Sequence, residues 1–364
     1  MKRIIAALII CLLLTGCWDQ LQLKKLLFVD VVGIDYEGDS NQLDVHYVVS
    51  SLRNAHQGGG DPSNLYLHST GSNLYDSVAK INKKMPGVLS VLETRLYLIS
   101  AKFAKDQPLN HLNVTSQFLS NPLYAYLAVY DGDLSELLAR KKIREQTISN
   151  YLVSLIDDEK KRGNIPSQKM LHYLLGGTEF INDFALNRFE PHENSVRLAG
   201  AALFRDGKYT GVNLNDDETL LANLMDGAPG KMQLFIGKAA ANNYSILVQK
   251  ARRDYDIIHD ANGLREIDIT LKLEVKFVEE GLEIHNRASQ LAKLEAEIGA
   301  DITAKASGVI ATLQKVNCDY LQLGHEVAAF HPKLYQRISW REQYPKLKIK
   351  PVVKIKILNS GILE

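Results

Sequence analysis

Cysteine is scarce: Cys11, Cys17 and Cys318 are the only three in 364 residues, which excludes a fold held by a disulfide framework. An excess of one charge is missing too. Lysine and arginine number 43 against 42 aspartates and glutamates, a formal +1, so no overall field draws the chain to nucleic acid, and no nucleic-acid partner is expected. Beyond the N-terminus no segment approaches the roughly 18 consecutive apolar residues of a membrane-spanning helix. Disorder is excluded from the other side, because 46% hydrophobic and 8% aromatic residues supply packed cores. The length predicts two or three domains.

Catalytic signatures are also lacking. There is no Gly-x-Ser-x-Gly and no Gly-x-Gly-x-x-Gly. His325-Glu326-Val327-Ala328-Ala329 begins like a zinc-protease helix, but Ala329 stands where the second imidazole must lie one turn on. Ser77-Val78-Ala79-Lys80 has the Ser-x-x-Lys spacing of penicillin-interacting enzymes, without Ser-Asp-Asn or Lys-Thr-Gly downstream. Cys318 sits in an apolar neighbourhood and reads as a small core hydrophobe. The expectation is a non-enzyme with no cofactor and no metal.

What is there begins at the N-terminus. Lys2 and Arg3 precede an unbroken apolar run from Ile4 to Leu14. As a helix that run spans about 16 Å, roughly half a bilayer core, so residues 1–16 read as a secretory signal peptide. Leu14-Thr15-Gly16-Cys17 is similar to the lipobox of bacterial lipoproteins, in which the cysteine thiol receives a diacylglycerol, cleavage falls just before it, and the freed amine is acylated. Cys17 is therefore the expected lipidation site, carrying S-diacylglycerol and N-acyl groups. Acyl chains hold a protein on a bilayer at about 0.8 kcal/mol per buried CH₂. Loss of Lys2 and Arg3 with the leader turns the formal +1 into −1, which leaves membrane lipid, reached through Cys17, as the main tether.

In the mature chain, Leu26 to Asp35 and Leu43 to Ser50 read as neighbouring strands around Gly38-Asp39-Ser40-Asn41. Residues 54–64, with three glycines and a proline, read as a mobile loop. Ser72 opens a helix carrying Leu74, Val78 and Ile81, Thr94 to Ser100 reads as a strand, and Val114 to Leu119 as a helix. Ile148, Leu152, Leu155 and Ile156 share one face of a helix over 146–161. Residues 176–195 mix glycine, Glu-Pro-His and Asn-Ser without period, and the domain boundary is placed there: 17–195 as an N-terminal domain, 196–364 as a C-terminal one. Ala199 to Leu214 reads as a hairpin turning at Asp206-Gly207, and Asn215 caps a helix through Met225. Ile267, Ile269, Leu271, Leu273, Val275 and Phe277 alternate with polar residues, as do Leu347, Ile349, Val353, Ile355 and Ile357 with Lys346, Lys348, Lys350, Lys354 and Lys356. Each is a strand with one wet face. Between them, Leu291, Leu294, Ile298, Ile302, Val309, Leu313 and Val316 form a helical stripe about 45 Å long, in which Gly299 and Gly308 mark a bend or a close approach. The fold class is α+β and multi-domain, a mixed α/β N-terminal region followed by an antiparallel sheet packed on a long helix.

Cys17-Trp18-Asp19 followed by Val32-Gly33-Ile34-Asp35 resembles the mature start of the spore germination Ger(x)C lipoproteins. So do Leu313-Gln314, Asp319-Tyr320-Leu321-Gln322-Leu323-Gly324, His331-Pro332, Trp340 and Tyr344-Pro345 before the last strand. The resemblance covers essentially the whole mature chain. It implies a non-enzymatic C subunit of a nutrient germinant receptor, tethered by lipid at the outer face of the spore's inner membrane and acting with membrane-embedded A and B subunits. A solute-binding lipoprotein feeding a transporter shares the leader and the anchor and stands as the alternative.

Overall fold

The structure is a computed structural model that describes residues 25–38, 40–50, 64–106, 112, 123–175, 183–239, 242–261, 263–278 and 287–359. Two sheets dominate it. The first has nine strands: β1 (Leu26–Tyr36), β2 (Leu43–Ser50), β3 (Asn64–Gly71), β4 (Val88–Ser90), β5 (Leu96–Ser100), β6 (Tyr126–Tyr130), β9 (Phe184–His192), β10 (Ser195–Arg205) and β11 (Lys208–Leu214). Their order is β11-β10-β9-β6-β5-β1-β2-β3, with β4 beside β1. The four central strands β9, β6, β5 and β1 run parallel, and an antiparallel pair extends the sheet at either end. Parallel strands are covered on both faces, and β5 and β6 are accordingly buried at all five positions each. One face holds α1 (Leu74–Asn82), α2 (Ala101–Ala104) and α5 (Met170–Leu175) over Val32, Ile34, Ile99 and Val129. The other holds α3 (Leu134–Leu138) and α4 (Ile148–Arg162) over Val31, Leu98 and Ala128. A two-stranded ribbon, β7 (Lys142–Ile143) and β8 (Gln146–Thr147), leads into α4.

Local chemistry fixes these elements much as expected. The α1 helix is capped at Asn73, one residue later than the sequence places it: Asn73 Oδ1 accepts from Asp76 N at 3.0 Å. The 206–207 turn has φ of 49° and 75°, the left-handed pair that a two-residue hairpin requires. At α6 (Asp216–Met225) Asn215 and Glu218 complete a reciprocal capping box, both bonds 2.9 Å. Within the aperiodic 176–195 stretch the structure differs from the expectation by placing β9. Its partner β10 follows a tight turn, so the sheet continues across residue 195.

The second sheet runs β12 (Gln233–Ala239), β13 (Asn242–Asp260), β14 (Gly263–Phe277) and β15 (Lys348–Asn359). The first three are antiparallel and β15 joins β14 in parallel. Alternating hydrophobicity specifies which face of a strand is wet and is silent about its direction. The direction of β15 follows from its connection through α7 (Arg287–Lys315), α8 (Leu323–Phe330), α9 (Pro332–Tyr335), α10 (Trp340–Gln343) and a 3₁₀ turn at Tyr344–Lys346.

The α7 stripe Leu294, Ile298, Ile302, Val309 and Leu313 packs on Ile267, Ile269, Leu271, Leu273 and Val275 in one core, which also takes in Ala201, Leu203 and Leu214 of the first sheet. Gly299 is a point of close approach, since a Cβ there would lie 2.8 Å from Val353 O; around Gly308 nothing lies within 4 Å. On either side of Gly299, Thr303 Oγ1 accepts from Val353 N at 2.9 Å and Glu295 Oε1 from Ile357 N at 2.8 Å. Eight helical residues cover about 12 Å and four strand residues about 13 Å, so Glu295, Gly299 and Thr303 match the repeat of β15 and cap an edge that would otherwise present bare N–H groups.

Candidate functional site

The C-terminal residues of the family resemblance, from Gln314 to Tyr344, gather largely at one buried polar junction. Asp319, 2% exposed, follows the end of α7, and its carboxylate accepts from Leu323 N (3.0 Å), Gly324 N (2.7 Å) and Trp340 Nε1 (3.0 Å). Gly324 is required by this geometry, since a Cβ would stand 2.7 Å from Trp340 Nε1. Burial pushes the Asp319 carboxyl up to about 6, against the lowering effect of its hydrogen bonds from Gly324 and Leu323. Tyr344 donates to Cys318 O at 3.1 Å, and Gln314 Nε2 to Tyr344 O and Leu347 O at 2.8 and 2.7 Å. These bonds tie the end of α7, α8, α10 and the start of β15 into one unit.

A second carboxylate ties that unit to the first sheet. Asp183, whose side chain is fully buried, takes a bidentate pair from Arg341 at 2.6 and 2.6 Å. It also accepts from Asp319 N at 2.7 Å and from Asp206 N at 3.0 Å. Arg341 reaches Asp206 and donates to Asn317 O at 2.9 Å. A fork-on-carboxylate pair is directional, and a buried ion pair adds specificity of arrangement more than stability. Every acceptor direction of Asp183 is met from within the chain, so the junction acts as a clamp. Sequence reading found Asp319, Gly324, Trp340 and Tyr344 by resemblance. It missed Asp183 and Arg341, whose pairing over 158 positions leaves no local trace.

The other candidates separate. Cys17, like Cys11, lies outside the described residues, as do 54–63 of the glycine-rich loop and the 114–119 helix. Ser77 is an internal helix residue, donating to Ser69 O at 3.1 Å and accepting from Tyr47 at 3.0 Å, while Lys80 pairs with Asp76 at 3.0 Å. Glu326, beside the exposed His325, pairs with Arg253 at 3.2 Å. Cys318 is wholly buried, 3.2 Å from Phe204 O, and burial raises its thiol well above the ordinary range. Of the terminal lysine face, Lys348 and Lys350 both close on Glu266, the former at 2.9 Å. Lys272 pairs with Asp254 at 2.6 Å on the neighbouring strands, so that face is a mosaic of both signs. A shallow groove of about 620 Å³ follows the α7–β15 seam between Glu295, Thr303 and Lys354. Among the described residues no helix is long and apolar enough to cross a membrane.

Comparison with known proteins gives this arrangement its context. Residues 19–189 match the family described as "Spore germination protein N-terminal domain", and residues 199–361 match "Spore germination B3/ GerAC like, C-terminal". The chain belongs to the Ger(x)C family of spore germination proteins. Among curated Ger(x)C relatives, spore germination protein GerQC of Bacillus cereus is 23% identical over 366 residues, covering 100% of both chains. Spore germination protein KC of Bacillus subtilis (strain 168) is 21% identical over 390 residues, covering 96% of this chain and 93% of that one. The crystal structure of the GerBC protein superposes with a TM-score of 0.60 at 15% identity, over 93% of this chain and 100% of that chain. At that identity the likeness speaks for the fold, and the fold is the α+β arrangement described above.

Proposed function

We propose that this Ger(x)C protein is a lipid-anchored, non-enzymatic subunit of a nutrient germinant receptor. It acts with membrane-embedded A and B subunits to initiate spore germination. Cys17, bearing diacylglycerol and an N-acyl chain, holds it at the outer face of the spore's inner membrane, and the tether expected over residues 18 to about 30 gives way to β1 already at Leu26. The chain divides into an N-terminal domain, 17–195, and a C-terminal one, 196–364, whose leading strands β10 and β11 complete the nine-stranded sheet of the first. The observation that carries the reading is the family match along nearly the full chain, in register with a lipobox ending at Cys17. The junction supports it, because Asp319, Gly324 and Trp340 of the resemblance are spent on holding the body together and are bonded by their own neighbours. A solute-binding protein calls for a cleft between two parallel-sheet lobes, and the second sheet here is mainly antiparallel.

The test is Cys17→Ala in spores. The variant is expected to leave the membrane fraction and to slow dipicolinic acid release in response to nutrients, with release by a non-nutrient trigger intact. Full membrane retention of the variant refutes the anchor. A normal response to every nutrient in spores lacking the gene counts against the receptor role.

A further inference from the structure

Far from the junction, at the β3 edge of the first sheet, one side-chain cluster is made of metal-ligating groups. Asp44 and His46 lie two apart on β2 and so share a face, and His68 stands directly opposite His46 on β3. One donor atom from each of the three lies within 4.8 Å of the others. The imidazole planes of His46 and His68 are stacked with centroids 5.1 Å apart. Both present Nε2 to one carboxylate: His68 Nε2 meets Asp44 Oδ1, and His46 Nε2 stands 3.7 Å from Asp44 Oδ2. That distance is too long for a hydrogen bond. Donors on a tetrahedral ion with bonds of about 2.0–2.2 Å lie about 3.3 Å apart, so the exposed His68 ring has to swing back from the Asp44 oxygen it meets to admit an ion among the three groups.

The surroundings have the form of a supported ligand shell. Tyr66 Oη lies 2.8 Å from His46 Nδ1 and 3.2 Å from Ser135 Oγ. With Nδ1–H donating to Tyr66 and Tyr66 donating to Ser135, the Nε2 lone pair of His46 is aimed at the Asp44 carboxylate. That is the outer-shell bond by which ligating histidines are oriented. His46 is 2% exposed, so its ring is held in place by the sheet around it. Gly33 faces His46 on β1 and a Cβ there would meet Leu138 at 2.5 Å and His46 at 3.3 Å, so the buried ring has a slot shaped for it. The simpler role, a His68–Asp44 surface ion pair, accounts for two of the three groups and leaves His46 facing a carboxylate it does not bond.

We infer that Asp44, His46 and His68 form a binding site for a divalent transition ion of the zinc class, held by two imidazoles and one carboxylate with a fourth position open to water. Two nitrogen donors favour zinc and its neighbours over magnesium or calcium. The ion staples edge strand β3 to β2 and closes the end of the sheet with a coordinate bond.

The experiment uses the purified full chain in detergent, stripped with a chelator, then titrated with zinc chloride against a chromophoric chelator and separately with cobalt chloride. One zinc equivalent is expected, with visible d–d bands on cobalt substitution. His68→Ala, an exposed position that leaves the core untouched, is expected to weaken zinc more than tenfold and abolish the bands, as is Asp44→Asn. Tyr66→Phe is expected to weaken it about tenfold, and His172→Ala, on the exposed side of α5, to leave it unchanged. Absence of competable zinc overturns the site. So does zinc held equally by the parent, His68→Ala and Asp44→Asn, which would place the ion elsewhere.

Discussion

Two glycines of one helix should respond to the same substitution with opposite signs. Gly→Ala inside a helix gains about 1 kcal/mol from propensity alone. At Gly308, where nothing lies within 4 Å of the added methyl, that gain stands, and Gly308→Ala should stabilise by about 1 kcal/mol. At Gly299 the methyl arrives 2.8 Å from Val353 O, a backbone atom that cannot swing aside. The helix must lift from β15, at an overpacking cost of about 1–3 kcal/mol. Lifting also stretches the Thr303–Val353 and Glu295–Ile357 bonds, each contributing about 0.5–1.5 kcal/mol. Gly299→Ala should therefore be less stable than the parent by about 1–5 kcal/mol, read from urea midpoints at constant slope. Hydrogen exchange supplies a local readout: the Val353 and Ile357 amides, on a sheet edge yet bonded to the helix, should be protected in the parent and in Gly308→Ala and lose protection in Gly299→Ala. Stabilisation by both substitutions, or unchanged exchange at Val353, would refute the capped edge.

The junction makes its own predictions. Arg341→Met leaves the fully buried Asp183 carboxylate without its guanidinium and should cost about 3–5 kcal/mol, whereas Asp206→Asn, at a carboxylate 62% exposed, should change stability by less than about 1 kcal/mol; urea unfolding of the two variants checks both. Asp319 supplies a pH dependence. Its carboxyl is raised by burial from 3.8 to about 6 in the folded chain, so the folded state holds the proton more tightly. That contribution is present below about pH 4 and is lost as pH rises through 6, on the order of 3 kcal/mol in all. Against Asp319→Asn, which has no such proton, the parent should lose about that much between pH 4 and pH 7; parallel stability curves would contradict it.

Sequence periodicity located what depends on local repetition. The strand at Ile267 to Phe277, the α7 stripe, the Asp206-Gly207 turn and the Asn215 cap are each written within a few neighbouring residues, and each formed where expected. The parallel direction of β15 was not legible, because it is decided by the path of the chain from α7 through α10 rather than by alternation. Strand β3 went unread beside the glycine-rich loop, and with it His68. The Asp44-x-His46 pair shares a face on any strand reading, but its third member becomes visible only with the register. The stretch around 184–192 lacks alternation because β9 is covered on both faces over much of its length, where a continuous apolar run replaces the period. Asp319 and Trp340 were recognisable by family resemblance, while the clamp they serve depends on an aspartate more than a hundred positions away.

The length of the Asp183–Arg341 span sets an order of assembly. The strands of the first sheet up to β9 are complete by residue 192, yet the carboxylate at their margin waits for a guanidinium 158 positions later, and β15, the last strand, completes the second sheet only after α7 through α10 have passed. Contacts so distant in sequence close late. A chain delivered N-terminus first thus stays open until its final elements emerge, and loss of even the last two dozen residues would strand a buried charge in the half already built. The clamp is a late checkpoint: only a chain that extends through Arg341 can shut it.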